Sequence, residues 1–158
     1  MQRMEGADGH HEDGFQPRPL TPDDYFKGYL DLLSQLTLVG DVSSHEFAQR
    51  FQEIMIAENS PYFIAVVEAE GRIVATGTLL IEKKFIHQCG VVGHIEDVVV
   101  DARMRGHCLG QRIVDFLTTR AREAHCYKVI LDCDEQNVRF YEKCGFSKKE
   151  TQMARYLT

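Results

Sequence analysis

The sequence predicts an α+β domain with a mixed, mostly antiparallel central sheet flanked by helices. Three observations carry this prediction. Apolar runs at Tyr62–Ala69 and Arg72–Glu82 flank Glu70-Gly71, a hairpin pattern. The run Ile95–Val100 leads through a glycine-bearing turn to Leu109, Ile113, Phe116, Leu117 and Ala121, the spacing of one helix face. After that helix, the continuous apolar centre of Tyr127–Asp132 reads as a buried strand.

The elements follow in order. Residues 1–14 are polar, glycine-containing and acidic and are expected to form a disordered tail, and residues 15–158 a single domain. His10-His11 in that tail is read as solvated. Pro17 and Pro19 keep Phe15–Leu20 extended. Thr21 caps a helix with Pro22 at its first position and an apolar face of Tyr25, Phe26, Tyr29, Leu30, Leu33 and Leu36, stopped at Gly40. Ser43 or Ser44 caps a second helix with the face Phe47, Phe51, Ile54 and Met55, closed by Asn59-Ser60-Pro61.

Gly77, inside the second hairpin strand, implies a bulge or a close backbone approach. Lys83–Gly93 reads as a polar, glycine-rich connection. Asp134 caps a short helix through Asn137, Phe140 and Tyr141 that stops at Gly145, and Phe146–Leu157 reads as one or two closing strands.

Composition excludes several classes. A net charge of −6 argues against a nucleic-acid partner. No apolar run approaches the about 20 residues of a membrane span, and Met1–Phe15 lacks a signal-peptide core. Five cysteines without a CxxC pair point to reduced thiols behaving as small buried hydrophobes. A cytoplasmic location is expected, compatible with peripheral association with an endomembrane such as the endoplasmic reticulum. The spacings of His94, His107, Cys108, His125 and Cys126 do not suit a closed four-ligand zinc site, so no metal is expected.

The chemistry concentrates in Gly93–Leu117. A helix start at a glycine turn exposes backbone N–H groups and is suited to hold a phosphate. Asp97–Val100, the turn, and Arg105-Gly106-x-x-x-Gly110 resemble the acetyl-CoA motif of the GNAT superfamily of N-acyltransferases. Asn137-Val138-Arg139-Phe140-Tyr141 through Gly145-Phe146 is similar to its second motif. Ile81–His87, Gly93–Asp97 and Cys126–Cys133 resemble the branch that acetylates glucosamine 6-phosphate. The resemblance runs from about Phe15 to the C-terminus. It departs at Cys108, where the commonest pattern has glycine or alanine. A side chain there narrows the space beside the pyrophosphate but leaves the N–H groups available.

The resemblance implies a GNAT fold, acetyl-CoA as cosubstrate, glucosamine 6-phosphate as acceptor, a place in UDP-N-acetylglucosamine biosynthesis, and a homodimer with its C-terminal strand and sugar site near the interface. For the cofactor it implies Arg105, Gly106, His107, Cys108, Leu109, Gly110 and Gln111 around the diphosphate, with Asn137 and Tyr141 nearby. Val98, Val99 and Val100 would present main-chain groups to the pantetheine amides, as a missing strand would.

For the sugar phosphate it implies Thr37, Lys84, Phe85, Ile86, His87, Glu96, Asp97, Val98, Tyr127, Lys128, Asp132 and, near the C-terminus, Arg155. Adjacent residues on a regular strand point to opposite faces, so joint use of Glu96 and Asp97 requires an irregular backbone or a substrate at the sheet edge. A carboxylate, or the main-chain carbonyl of Asp132, orients the amine and takes its proton through water. Tyr141 faces the leaving sulfur. With ordinary pKa values, phenol-to-thiolate proton transfer is uphill by roughly 2 kcal/mol, so Tyr141 acts first as a hydrogen-bond donor.

Two rivals remain at this level. One is N-acetylation of another amine, on a protein or polyamine, which favours a broad acidic groove. The other is a non-catalytic acyl-CoA-binding module. Lys84–His87 and Tyr127-Lys128 favour the phosphosugar, and Tyr141 with Glu96-Asp97 argues against a silent module.

Overall fold

The computed structural model describes residues 14–157. The proposed tail therefore lies outside the described residues, apart from Gly14. Five strands form one sheet in sequence order: β1 (Arg18–Pro19), β2 (Tyr62–Ala69), β3 (Arg72–Lys83), β4 (Val91–Val100) and β5 (Cys126–Leu131). The first four pair antiparallel, and β4 pairs parallel with β5. The parallel step requires a crossover, supplied by the helix Leu109–Glu123, which we number α4.

The β2–β3 turn matches its sequence. Glu70 (φ 49°) and Gly71 (φ 74°) are both left-handed, as the tight turn that suits twisted hairpin strands requires. Two helices lie on one face, α1 (Tyr29–Leu33) and α2 (Ser44–Phe51). Ser43 caps α2 in a reciprocal pair with Glu46: the Ser43 N–H donates to the Glu46 carboxylate at 2.8 Å, and the Glu46 N–H donates to Ser43 Oγ at 3.3 Å. Tyr29, Leu32, Phe47 and Phe51 pack there on Ile64, Val66, Ile73 and Val99.

Helix α4 covers the other face. Ile113, Val114 and Leu117 are fully buried against Ala75, Leu79 and Ile95, and each burial is worth about 1.5–3 kcal/mol. Two glycines let the helix approach closely. A Cβ on Gly77 would lie 2.8 Å from Ile113 Cγ2, and one on Gly93 would lie 3.2 Å from Ala121 Cβ.

Five expectations need correction. The first helix is not continuous from Pro22 to Leu36. A 3-10 turn, Pro22–Lys27, ends at left-handed Gly28 (φ 77°) before α1 begins, and Phe26 points outward, 79% exposed. Gly28 closes that turn with its N–H on the Asp24 carbonyl, while the fully buried Asp24 carboxylate takes both the Arg18 guanidinium (2.7 and 2.8 Å) and the Thr21 N–H (2.8 Å). α1 then ends at Leu33, well before Gly40.

The Lys83–Gly93 connection is shorter than expected, because β3 runs through Lys83 and β4 already begins at Val91, leaving residues 84–90, with the short turn Ile86–Cys89 (α3), between the strands. β5 is not a buried strand: it forms the sheet edge, leaving Tyr127 and Ile130 exposed. Finally, Phe146–Leu157 forms no strand. It has no sheet partner among the described residues, and Met153, Tyr156 and Leu157 are exposed.

The thiols differ too. All five cysteines are free, but Cys89, Cys108 and Cys133 are exposed and none is fully buried. Among the described residues no helix is long and apolar enough to cross a membrane, and no three metal-ligating side chains converge.

Candidate active site

The phosphate turn is built by what holds its two ends. At the exit of β4 the Asp101 N–H donates to the Val74 carbonyl at 2.8 Å, and the Asp101 carboxylate accepts from the Arg103 N–H at 2.9 Å and the Arg103 guanidinium at 2.7 Å. These bonds, the guanidinium's first, push the Asp101 carboxyl down to about 2. Gly106 (φ 90°) and Cys108 (φ 56°) are both left-handed, and α4 starts at the next residue, Leu109.

A non-glycine residue in that conformation costs about 1–2 kcal/mol, which is the physical reason a glycine suits position 108. Leu109 is buried to 1% exposure, so among the cofactor candidates it offers its N–H and not its side chain. A Cβ on Gly110 would sit 3.0 Å from Phe140 Cζ, so the start of α4 rests directly on α5 (Val138–Lys143), the helix of Tyr141. Asn137 is the residue immediately before α5.

Of the two ways in which Glu96 and Asp97 could face one substrate, an irregular backbone and a sheet edge, the structure has both features at this point. Thr78 pairs with Glu96 and Thr76 with Val99, so Gly77 faces two residues, Asp97 and Val98, in a bulge. Asp97 takes φ 52°, and both carboxylate residues are solvent-exposed. Past the bulge, Val98 and Val100 pack on the α4 side and Val99 on the other. Pairing of β4 with β5 stops at Ile95 and Leu131, which leaves the outer backbone edge from Glu96 to Val100 without a neighbouring strand among the described residues. That edge begins at the acidic pair and runs to the phosphate turn.

Partial desolvation of a side chain that still reaches solvent comes first, and the charges of Asp132 and Asp97 second, in pushing the Glu96 carboxyl up. Two carboxylates close enough to disfavour the charged form of Glu96 make the spot suited to an ammonium group. Near them lies Tyr29, a residue that helix periodicity assigns only to packing. It is 6% exposed, and its hydroxyl is pushed up to about 12 by burial, with Asp97 contributing.

On the second candidate segment, Lys84 binds Glu82, whose other oxygen pairs with His94 Nε2 at 2.7 Å. Glu82 and His94 are positioning partners that the sequence does not reveal, because they meet across the β3–β4 register. His87, Gln88 and Cys89 are consecutive left-handed residues (φ 52°, 58° and 60°). That turn brings the His87 ring to 4.3 Å from the Tyr127 ring, and Lys128 Nζ lies 5.9 Å from the same ring. Phe85 and Ile86 point to solvent.

Tyr141 packs against Phe140 (4.9 Å) and Phe146 (6.2 Å), and burial, with smaller contributions from Cys133 and Cys144, pushes its hydroxyl up to about 12. Two candidates stand apart from these groups. Thr37 lines a groove with Leu30, Asp31 and Leu38, and Arg155 lies in the exposed C-terminal segment.

The acetyltransferase (GNAT) family model matches residues 26–146. A glucosamine 6-phosphate N-acetyltransferase of Arabidopsis thaliana is 50% identical over 144 residues, covering 90% of this chain and 96% of that protein. One from Candida albicans is 43% identical over 140 residues, covering 89% and 94%. The crystal structure of the glucosamine-6-phosphate N-acetyltransferase from Arabidopsis thaliana superimposes with a TM-score of 0.88 at 49% identity, covering 91% of this chain and 99% of that one. The five-stranded sheet that parts beyond Ile95 thus has close counterparts in sequence and in shape, and the chain belongs to the acetyltransferase (GNAT) family.

Proposed function

We propose that this protein transfers the acetyl group of acetyl-CoA to the amine of D-glucosamine 6-phosphate, giving N-acetyl-D-glucosamine 6-phosphate by direct attack in a ternary complex. The observation that carries the reading is the unpaired β4 edge, with an anion-suited turn at one end and the Glu96, Asp97 and Asp132 carboxylates at the other. The residues fit acetyl-CoA. The left-handed turn before α4 leaves N–H groups for a diphosphate, and the edge backbone offers amide partners to an extended arm. The cosubstrate supplies an acyl group activated as a thioester.

Each group in the chain then has a task. Asp97, Asp132 and Glu96 attract and orient the acceptor ammonium. Glu96, a stronger base than an ordinary glutamate because its charged form is disfavoured, accepts the amine proton through water. Tyr141 donates a hydrogen bond to the leaving sulfur. Lys84 and Lys128, beside His87 and Tyr127, provide cations for the sugar phosphate. Glu82 and His94 hold the Lys84 ammonium in place until the phosphate competes for it.

The C-terminal segment fits a homodimer in which a second copy covers Met153, Tyr156 and Leu157, so that Arg155 reaches a site near the interface. The test is a thiol-release assay of the purified protein with acetyl-CoA against glucosamine 6-phosphate, glucosamine, a polyamine and a lysine peptide. Turnover is expected with the phosphosugar and to fall steeply without its phosphate. Faster turnover with the polyamine or the peptide would refute the assignment.

A further inference from the structure

Beside the turn that precedes α4 lies a residue outside every motif, Phe15. The edge of its ring meets the His107 ring at 5.7 Å between centroids, and its carbonyl accepts a hydrogen bond from the Arg112 guanidinium at 3.2 Å. His107 belongs to the turn itself, and Arg112 lies in the first turn of α4, where its N–H closes the helix on the Cys108 carbonyl at 3.0 Å. One residue, distant in sequence, therefore touches both the residue between left-handed Gly106 and Cys108 and the first turn of the helix that follows them.

The contact continues inward. His107 Nδ1 lies 3.2 Å from the Met104 carbonyl, which only accepts, so the ring carries its proton on Nδ1. Phe15, His107 and Met104 thus form a chain of contacts that ties the turn to the 3-10 segment Ala102–Met104 before it.

Phe15 is itself held. Three residues on, Arg18 pairs with Val66 in the sheet and binds Asp24 at 2.7 Å and Glu68 at 2.6 Å, and the Leu20 N–H donates to the Ile64 carbonyl at 2.9 Å. The Phe15 side chain packs on the α4-side core. The segment is a short strap, anchored on β2 and pressed against the turn.

We propose that Phe15 is a positioning residue for cofactor binding. By bracing His107 and Arg112 it holds the Gly106–Cys108 turn, in which Cys108 takes a left-handed conformation strained for a side chain, so that its N–H groups are directed at a diphosphate. The proposal rests on the assignment of that turn to acetyl-CoA and is independent of the amine acceptor. The physical need is local. Two left-handed residues separated by one position, one of them not glycine, persist only where the surroundings over-determine them.

The test compares Phe15→Ala, Phe15→Leu and Phe15→Tyr in the full chain, with CoA affinity measured by titration calorimetry and steady-state kinetics run alongside. An aromatic edge contact's ordinary worth translates to about a fivefold weaker CoA affinity and raised KM for acetyl-CoA in Phe15→Ala. The KM for the amine and the kcat at saturating acetyl-CoA should stay near wild type, and Phe15→Tyr should restore affinity. Phe15→Leu keeps the apolar anchor and should still lose affinity, so the idea stays testable if the alanine variant does not fold.

Combined with His107→Ala, Phe15→Leu should add little, because both act through the same ring. CoA affinity unchanged in a folded Phe15 variant, or a loss shared equally by both substrates, would overturn the proposal. Because CoA binding is read directly, a wrong amine acceptor would fail the panel assay while leaving this result intact.

Discussion

Replacing Tyr141 by Phe removes one oxygen and keeps the ring that packs on Phe140 and Phe146. The size of the effect follows from the burial of that hydroxyl. With the phenol raised to about 12 and the departing thiolate near its ordinary value of about 8.5, full proton transfer is uphill by about 5 kcal/mol. Burial thus more than doubles the difference expected from unperturbed groups and makes Tyr141 a donor to sulfur rather than its proton source.

A hydrogen bond to a charged group is worth about 1.5–3 kcal/mol, which corresponds to a loss of about ten- to 150-fold in kcat. The assay is thiol release at saturating acetyl-CoA, with both KM values measured. The KM values should hold within a few-fold, and the wild-type enzyme should show no alkaline decline from Tyr141 ionisation below about pH 10. A Tyr141→Phe enzyme with wild-type kcat would remove the role. A far larger loss, coupled to an alkaline limb near pH 10 in the wild type, would restore full acid catalysis and refute the donor assignment.

Three other perturbations test neighbouring parts of the structure. Glu96→Gln should abolish an acid limb in kcat/KM that lies above the ordinary glutamate range, because protonation on lowering the pH through the raised value removes both the base and the attraction for the amine. A limb unchanged in the variant would assign it to another group. A glutamate whose folded value is raised stabilises the fold below its unfolded pKa, and that contribution is lost as pH rises through the folded value, so the same variant should melt higher than wild type at pH 7.

Gly77→Ala would place a methyl 2.8 Å from Ile113 and 3.1 Å from Leu117, and should lower stability by about 2 kcal/mol, or Tm by roughly 4–8 °C, in a thermal melt. An unchanged Tm would mean that α4 yields freely over the bulge. Arg18→Ala leaves the buried Asp24 carboxylate with only Lys27 at 3.6 Å and the Thr21 N–H, and should cost about 2 kcal/mol in denaturant unfolding. No loss would show that Lys27 suffices.

Much of the site is legible in the amino-acid sequence because it is made of contiguous residues whose local geometry matters. The helix start after Arg105–Cys108 follows from apolar spacing, and the hairpin follows from Glu70-Gly71. The motif around Asn137–Phe146 lies in one stretch whose helix rests on Gly110. Strand periodicity also shows that Glu96 and Asp97 could share a substrate only through an irregular backbone or at a sheet edge. That both occur is not legible there, since the bulge depends on Gly77 of the neighbouring strand and the edge on where β5 stops pairing.

The chain thus encodes its local features within a few residues: the strand–turn–helix that exposes N–H groups, the cap of α2 and the chemical identity of the site residues. Whatever depends on a partner distant in sequence emerges only on folding. Arg18 grips a buried Asp24 in the turn that ends at left-handed Gly28, and the end of β4–β5 pairing at Ile95 leaves an open backbone edge. Register joins Glu82 to His94, a folded strap lays Phe15 beside His107, and Phe146–Leu157, with no sheet neighbour among the described residues, forms no strand. The physical reason is common to all of them: periodicity and capping act within a few residues, whereas desolvation, strand pairing and packing depend on what the fold places alongside.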